Sequence, residues 1–406
     1  MSQRKTLYAY ENLLLACANK GLFNQSWKTY NDMKKDGITP SIYTMGHLAN
    51  VCSTCTTVQP DIVQERINKI IEELDKYQIK PSLTFFNILM KTLIRIGKYQ
   101  NSMDFIDKIK SVGLRPDIAS YSTYITAKSE LYKQQNNYSQ NHRTLLKTLN
   151  LSANSQELDQ LKSEGMKLID DYLLVIKDLK KQQIHLDRYF VNTLLHCCKQ
   201  TNYPEGVFKV WDQIKEMRFS RDSINADTRT YDIFISTCNY TNNISKAIEF
   251  LNEIIYKDIR PDVGLINQLF RITNRIVNSK QTEEYNVNDL VNRIISYQER
   301  FKVLPNHESF SILISTFSRL NQMNRVYELF LEMNQLNLIP NIYDYTGLIK
   351  GFENDIEKVL NIFRVIVQQN QKLTPEFTQL ILSIVRKKGT GDMVDEISQG
   401  IRKLES

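Results

Sequence analysis

The chain has 406 residues, a net charge of +7 and 42% hydrophobic residues. This apolar fraction is enough for a core, and the scarcity of Gly and Pro excludes a linker or a disordered tail. No apolar run approaches the roughly 18 residues of a membrane span, so we expect no membrane partner, while the mild positive charge favours acidic partners.

Residues 83–117 hold the pattern that the rest of the chain repeats. The apolar residues of its first half recur three and four positions apart, which predicts a helix with one buried stripe. The pattern breaks at Gly97, and a second periodic run closes at Gly113 with Pro116 shortly beyond, as helices commonly end. The unit is therefore helix A, turn, helix B, turn.

The same unit recurs along the chain, and the prolines show its spacing. Seven of the nine prolines end a unit, and three neighbouring pairs lie 35 residues apart. Such a period is typical of stacked helical hairpins that cannot bury their apolar faces alone. Within a domain at 1–376, the predicted repeats span residues 7–41, 42–82, 83–117, 118–187, 188–227, 228–262, 263–306, 307–341 and 342–376. Residues 377–406 are predicted to form a degenerate capping hairpin.

The second helices carry a motif that ends in Pro followed by Asp, Asn or Ser. NDMKKDGITPS, DKIKSVGLRP and LEMNQLNLIPN resemble the pentatricopeptide repeat family. The resemblance implies an all-α, right-handed superhelical solenoid of about nine to ten helix-turn-helix repeats. The nearest alternative is the tetratricopeptide repeat, a protein-binding hairpin of about 34 residues. The spacing, the terminal prolines and the absent Trp-Leu-Gly signature argue against that alternative.

The fourth repeat carries an insertion near residues 128–162. Its Asn- and Gln-rich sequence, KQQNNYSQNHR, is typical of a mobile loop or a disordered insert. Two amphipathic segments, LLKTLNL and LDQLKSEGMKLIDDYLLVIKDLKK, favour helix within and just after it, and the second supplies helix B. A partner-docking element and an idle expansion are both open, and the idle expansion is the simpler interpretation.

The six cysteines are better explained by packing than by chemistry. Cys17, Cys52, Cys198 and Cys238 all fall at position 11 of their repeats, within helix A, where we expect a small buried residue. Cys52 and Cys55 form a Cys-x-x-Cys pair, but no second ligand pair stands at zinc-like spacing. We therefore expect no metal and no cofactor, and the cysteine usage fits a reducing compartment.

Positions 5, 9 and 13 of helix A lie along one stripe of the helix. In several repeats a small hydrogen-bonding residue at position 5 is followed by basic residues further along. An isolated stripe of this kind is the usual solvated side of a helix, but its recurrence favours RNA, because small amides and hydroxyls reach base edges while cations meet phosphates. The candidate phosphate-binding residues are Lys91, Arg95, Lys199, Arg271, Arg275, Arg319 and Lys350.

In the resembled family, position 5 and the last residue of each repeat together select one nucleotide. The pairs that match this code are Asn87 with Asp117 and Asn192 with Asp227 for uracil, Ser122 with Asp187 for guanine, Asn267 with Asn306 for a pyrimidine, and Ser311 with Asn341 for adenine. The pairs that depart from it are Glu11 with Ser41, Gly46 with Ser82, Asp232 with Asp262 and Thr346 with Glu376. These four repeats act as spacers, or the protein holds RNA loosely.

Position 2 of each repeat sandwiches the base in the resembled family, which favours Val there. From the third repeat on, this chain has Thr84, Ala119, Tyr189, Arg229, Gly264, Glu308 and Tyr343 at that position. The departure argues against tight, plant-like selection of an RNA sequence.

No catalytic constellation is recognisable. Some family members add a deaminase domain with His-x-Glu and Cys-x-x-Cys pairs, or a metal-dependent nuclease domain with clustered aspartates, and this chain has neither pattern. We therefore expect a protein that is not an enzyme and has no small-molecule substrate. Only six residues precede the first repeat, so we expect no transit peptide in this chain.

The resemblance implies a single-stranded RNA-binding protein of mitochondrial RNA metabolism, acting in the stability, processing or translation of a transcript. Its RNA partner would be an mRNA, a tRNA precursor or an rRNA. The second repeat, with YTMGHLANVC, an inserted loop and a long helix B, resembles animal-type mitochondrial members of the family. The alternative is a non-catalytic scaffold in a ribonucleoprotein such as the mitochondrial ribosome, in contact with its proteins.

Overall fold

The computed structural model describes residues 6–148, 155–216, 225–279 and 281–405. Within those ranges the chain forms helices and no strand. It divides into two compact units, Met1–Asn225 and Ala226–Ser406, which we call the N-terminal unit and the C-terminal unit.

Odd-numbered helices are the first helices of the predicted repeats and even-numbered helices are the second. The N-terminal unit contains α1 (Leu7–Lys20), α2 (Phe23–Lys35), α3 (Ile42–Thr54), α4 (Pro60–Lys76), α5 (Leu83–Arg95), α6 (Tyr99–Ser111), α7 (Ile118–Thr148), α8 (Ser155–Lys181), α9 (Arg188–Lys199) and α10 (Gly206–Glu216). The C-terminal unit contains α11 (Thr228–Thr241), α12 (Ile244–Tyr256), α13 (Val263–Asn278), α14 (Val287–Arg300), α15 (His307–Arg319), α16 (Met323–Gln335), α17 (Ile342–Gly351), α18 (Ile356–Gln368), α19 (Pro375–Lys388) and α20 (Gly391–Glu405).

The last residue of a predicted repeat caps the first helix of the next one. Its side-chain oxygen accepts a hydrogen bond from a backbone N–H in the first turn, which otherwise has no partner in the helix. Each A helix therefore begins at the residue that opens its repeat. The capping residues between repeats are Ser41, Ser82, Asp117, Asp187, Asp227, Asp262, Asn306 and Asn341.

In the described structure a residue with left-handed backbone follows eight of the B helices, α2, α4, α6, α8, α12, α14, α16 and α18. Gly37 and Gly113 have φ of 75° and 77°, and the backbone N–H of Ile38 donates to the carbonyl of Met33 at 3.1 Å across the end of α2. Glycine adopts this conformation without a steric penalty from Cβ, and the arrangement satisfies carbonyls that the helix leaves open. The chain is thereby turned back towards the next A helix.

Within each unit the A helices pack side by side in chain order. In the N-terminal unit α1, α3, α5, α7 and α9 form one row, and in the C-terminal unit α11, α13, α15, α17 and α19 form another. B helices pack against the A helices of their own hairpins, as α2 does against α1 and α16 against α15. The architecture is an all-α repeat solenoid, in which each hairpin buries its apolar stripe against its neighbours.

The cysteines at position 11 are buried, which confirms their predicted place in the core. Cys52 and Cys198 are fully buried, and Cys17 and Cys238 are less than a tenth exposed. Burial raises the pKa of the Cys52 thiol to about 12, so this thiol stays protonated and unreactive at neutral pH. Among the described residues, no group of three or more His, Cys, Asp or Glu is placed to hold a metal ion.

The insertion of the fourth repeat is helical where the structure describes it. The loop predicted for KQQNNYSQNHR is therefore wrong, whereas the helix predicted for LDQLKSEGMKLIDDYLLVIKDLKK is confirmed. Helix α7 has 31 residues and α8 has 27, which places residues 128–148 and 155–162 in helices. The physical reason is that no Gly or Pro occurs from Ile118 to Glu164, so nothing terminates the helix. Residues 149–154, which complete the predicted insertion, lie outside the described ranges.

The C-terminal hairpin consists of α19 and α20. Helix α19 begins at Pro375 and is capped by Thr374, two residues before the predicted start of the hairpin. Proline suits the first helical position because its missing N–H would have no intrahelical partner there. None of the helices described here combines the length and the apolarity that crossing a bilayer requires.

Candidate nucleic-acid interface

The predicted uracil pair of the third repeat is joined by a hydrogen bond. The Asn87 Nδ2 group donates to Asp117 Oδ1 at 3.2 Å, and the Ser120 hydroxyl donates to Asn87 Oδ1 at 2.7 Å. The amide is thereby held in one orientation, with its oxygen engaged. Its second N–H has no partner within the part of the chain that the structure describes, so it remains available as a donor.

Asp117 has two roles in this network. It caps α7 by accepting a hydrogen bond from the Ser120 amide at 2.8 Å, and it also accepts from Asn87. Burial alone would raise the pKa of Asp117, but the hydrogen bonds from the Ser120 amide, the Ser120 hydroxyl and Asn87 outweigh it. The pKa of Asp117 therefore lies below its ordinary value, and the site carries a negative charge at neutral pH.

The predicted pyrimidine pair of the seventh repeat repeats this geometry. Asn267 Nδ2 donates to Asn306 Oδ1 at 3.2 Å, and the Ser309 hydroxyl donates to Asn267 Oδ1 at 2.6 Å. One contact is added here, because Asn267 Nδ2 also donates to Glu308 Oε2 at 3.0 Å. The other carboxylate oxygen of Glu308 pairs with Arg271.

The first repeat has the same arrangement with a carboxylate in place of the amide. The hydroxyl of Ser41 donates to Glu11 Oε1, and the hydroxyl of Thr44 donates to the same oxygen at 3.2 Å. Position 5, the capping residue and the third residue of the next A helix thus meet in three repeats of this chain. The network recurs in these repeats, and its chemistry changes with the residue at position 5.

The predicted guanine pair of the fourth repeat lies in the wall of a cavity of about 420 Å³. Ser122 and Asp187 line it together with Lys91, Ala119 and Tyr189. This volume falls within the range of ligand clefts, roughly 300–1,000 Å³. The cavity thus combines a hydroxyl, a carboxylate, a cation and an aromatic ring, which are groups that contact base edges, phosphates and base faces.

The predicted adenine pair of the eighth repeat is not brought together in this way within the described structure. Ser311 shares a hydrogen bond of 3.4 Å with His307 Nδ1, whereas the Asn341 side chain caps α17. No bond between Ser311 and Asn341 is present in the described structure. Asn192 belongs to the N-terminal unit and Asp227 to the C-terminal unit, so their pairing stays a prediction.

The predicted phosphate-binding residues fall into two groups. Arg95 donates to the backbone carbonyl of Cys52, and Arg271 pairs with Glu308, so both guanidinium groups are engaged within the protein. Lys199 is half-buried and interacts within the chain. The exposed cations that form no ion pair with the described residues are Lys91, Arg275, Arg319 and Lys350.

Three family models match the chain. The PPR repeat family model matches residues 5–54, the Pentatricopeptide repeat domain model matches residues 69–129, and the PPR repeat model matches residues 189–219 and 308–338. The two matches to the PPR repeat model each begin one residue after the start of an A helix, α9 in one and α15 in the other. The chain is a pentatricopeptide repeat protein.

Known proteins similar to this pentatricopeptide repeat protein are distant in sequence. The mitochondrial 15S rRNA processing factor ppr3 of Schizosaccharomyces pombe is 21% identical over 215 residues, which are 51% of this chain and 28% of the relative. The crystal structure of PPR10 from maize matches with a TM-score of 0.50 and 15% identity over 98% of this chain and 60% of that one. The crystal structure of PPR10 in complex with an 18-nt psaJ RNA element matches with a TM-score of 0.50 and 16% identity, over 99% of this chain and 55% of that one. At such identities the structural likeness shows the fold alone.

The register of the pentatricopeptide repeats also reveals aromatic residues that sequence reasoning missed. Tyr8 and Tyr43 stand at position 2 of the first and second repeats, equivalent to Tyr189 and Tyr343. All four side chains are strongly exposed, between 70% and 73%. Exposed rings are surfaces on which bases stack. The sequence signal that could have found them is the recurrence of Tyr as the second residue of an A helix. It is visible only when position 2 is compared from the first repeat on, and not from the third.

Proposed function

We propose that this pentatricopeptide repeat protein binds single-stranded RNA along its A helices, within mitochondrial RNA metabolism. In this role it acts in the stability, processing or translation of a transcript by occupying the RNA. The observation that carries the proposal is the hydrogen-bonded network of position 5 with the next helix cap, formed by Asn87 with Asp117.

The Asn87 network offers the groups that a base edge requires. An amide N–H is available as a donor beside the carboxylate of Asp117, which is an acceptor, and the Ser120 hydroxyl fixes the direction of both. Preorganised donors and acceptors bind at a smaller entropic cost than mobile ones. Tyr189 and Lys91, which line the neighbouring cavity, supply a stacking surface and a cation for phosphate.

The relatives support the same role. PPR10 is described in complex with an RNA element, and the Schizosaccharomyces pombe relative is a mitochondrial rRNA processing factor. Because the chain spans between 28% and 60% of the length of these relatives, the transcript and the step of RNA metabolism are part of the proposal. A mitochondrial location is likewise proposed on the basis of the rRNA processing factor.

The first experiment measures RNA binding by the purified chain at two salt concentrations. Fluorescence anisotropy compares single-stranded RNA containing U-G-U-N-C/U-A with a scrambled version, for the wild type and for Asn87→Ala. We expect Asn87→Ala to weaken binding to the matched RNA by roughly three- to tenfold, the effect of one hydrogen bond. The matched control is Asn101→Ala, an exposed Asn on helix α6 of the same repeat, and we expect no change from it.

Tyr189 tests the stacking surface. Tyr189→Ala is expected to weaken binding by roughly five- to a hundredfold, because stacking contributes about 1–3 kcal/mol per base, whereas Tyr189→Phe retains the ring and the affinity. Binding that is weak, equal for matched and scrambled RNA and lost with salt would contradict selective recognition. That result would favour the scaffold in a ribonucleoprotein.

A further inference from the structure

Glu308 is the second residue of α15 and lies beside the base-selecting pair of the seventh repeat. One oxygen of its carboxylate accepts from Asn267 Nδ2 at 3.0 Å, and the other pairs with the Arg271 guanidinium. Asn267 is buried, with 2% of its surface exposed, while 47% of the Glu308 side chain is exposed. The carboxylate therefore stands between the amide and the solvent side of the row of A helices.

The hydrogen-bonding capacity of the Asn267 amide is engaged within the protein. One N–H donates to Asn306, the other donates to Glu308, and the oxygen accepts from Ser309. An amide has two N–H donors, so no donor is left for a base. Arg271, which stands one helical turn along the same stripe, has its charge compensated by the same carboxylate.

The third repeat provides the internal comparison. Its position equivalent to Glu308 is Ala119, the second residue of α7, which has no polar group to reach Asn87 or Lys91. The second N–H of Asn87 and the Lys91 ammonium remain without such a partner in the described structure. Two repeats with the same amide at position 5 thus differ at position 2 of the following repeat, in addition to the cap, which is Asp117 in one and Asn306 in the other.

We propose that Glu308 masks the seventh repeat, so that Asn267 and Arg271 are withheld from RNA and this repeat does not select a base. The inference rests on the proposed function and adds a specificity-determining residue outside the pair at position 5 and the helix cap. The physical reason is twofold. The carboxylate occupies the donor that a pyrimidine carbonyl would use, and its charge repels both that carbonyl and the neighbouring phosphate.

The test is Glu308→Ala, which copies the residue found at position 119. Binding is measured with four RNAs that differ only at the nucleotide facing the seventh repeat, the fifth position of U-G-U-N-C/U-A. The wild type is expected to bind all four equally. Glu308→Ala is expected to bind the U and C versions about three- to tenfold more tightly than the wild type does. For Glu308→Ala the slope of log affinity against log salt concentration is expected to become steeper by about 0.7, which is the contribution of one phosphate contact on a single strand.

Two further variants separate masking from a general effect of charge. Glu328→Ala removes an exposed carboxylate from helix α16 of the same repeat and is expected to leave base preference unchanged. In the double variant Asn267→Ala/Glu308→Ala the gain in base preference is expected to disappear, because the unmasked amide is absent.

Several outcomes would overturn the inference. An unchanged base preference in Glu308→Ala, in a protein whose matched binding still depends on Asn87, overturns the masking role and leaves the proposed function standing. A gain that persists without Asn267, or that Glu328→Ala reproduces, also overturns it. Absence of RNA binding by both the wild type and Glu308→Ala overturns the proposed function, and the masking role with it.

Discussion

The Asn87 network in the N-terminal unit and the Asn267 network in the C-terminal unit are built from the same hydrogen bonds. In each, an amide donates to the next helix cap at 3.2 Å and accepts from the serine at the third position of that helix. They differ at the cap, which is Asp117 in one and Asn306 in the other, and at the second position of the following A helix, which is Ala119 in one and Glu308 in the other. One amide keeps an available donor, and the other does not.

The comparison teaches that the two residues of a repeat code do not act alone. Ser, Asp or Asn at the cap stabilises the start of the A helix, so the identity of the cap reflects local folding as well as any base selection. The chemistry offered to RNA then depends on a neighbour contributed by the next repeat. Repeats with the same amide at position 5 can thus differ in the donors that they leave available.

Converting Ala119 to Glu is expected to have the largest effect. The new carboxylate would reach the Asn87 amide and Lys91, as Glu308 reaches Asn267 and Arg271. We expect RNA affinity to fall by roughly ten- to thirtyfold, because one hydrogen bond and one phosphate contact are lost. Anisotropy titrations at two salt concentrations measure it. Ala119→Gln, of similar size and without charge, is the control, and an equal loss from it would attribute the effect to size.

Removing the serine hydroxyls is expected to have a similar effect on stability in both networks. Ser120 and Ser309 are fully buried, and each donates to the amide oxygen at position 5. Ser120→Ala and Ser309→Ala should each lower the free energy of unfolding by about 1–2 kcal/mol, because the amide oxygen loses its partner. Urea unfolding measures this, with exposed Ser111→Ala as the control. A loss no larger than that of Ser111→Ala would show that these bonds contribute little.

The caps of the two networks differ in charge, so their contributions to stability should differ in pH dependence. This is the smallest effect that we expect. Asp117→Asn copies Asn306, and we expect it to cost about 0.5 kcal/mol at pH 7, because a carboxylate at a helix N-terminus is favourable. Since the pKa of Asp117 is lowered in the folded state, its contribution is fully present above the ordinary value of 3.8 and is lost as the pH falls through the folded-state pKa. Urea midpoints of both proteins at pH 7, 5 and 3 measure it. An equal difference in stability between the wild type and Asp117→Asn at pH 7 and at pH 3 would contradict a lowered pKa of Asp117 in the folded state.

Sequence reasoning was most successful where the signal was local. Periodicity and the Gly and Pro residues that end helices predicted the hairpins, and position 11 predicted the four buried cysteines that occupy it. The loop predicted for KQQNNYSQNHR was wrong, because Asn and Gln content was weighted above the absence of Gly and Pro, whereas the amphipathic pattern of LDQLKSEGMKLIDDYLLVIKDLKK correctly predicted helix. The masking contact of Glu308 was not foreseen, since position 2 was compared only with the preference of the family for Val.

The sequence by itself determined the fold class, the start of each A helix and the identity of the residues at positions 2, 5 and the cap. These features follow from interactions within one or two helical turns, which a linear pattern records. The tertiary structure alone decided which of those groups remain available. Arg95 bonds to a carbonyl 43 residues away and Arg271 pairs with a carboxylate 37 residues away, so their availability depends on how neighbouring repeats pack.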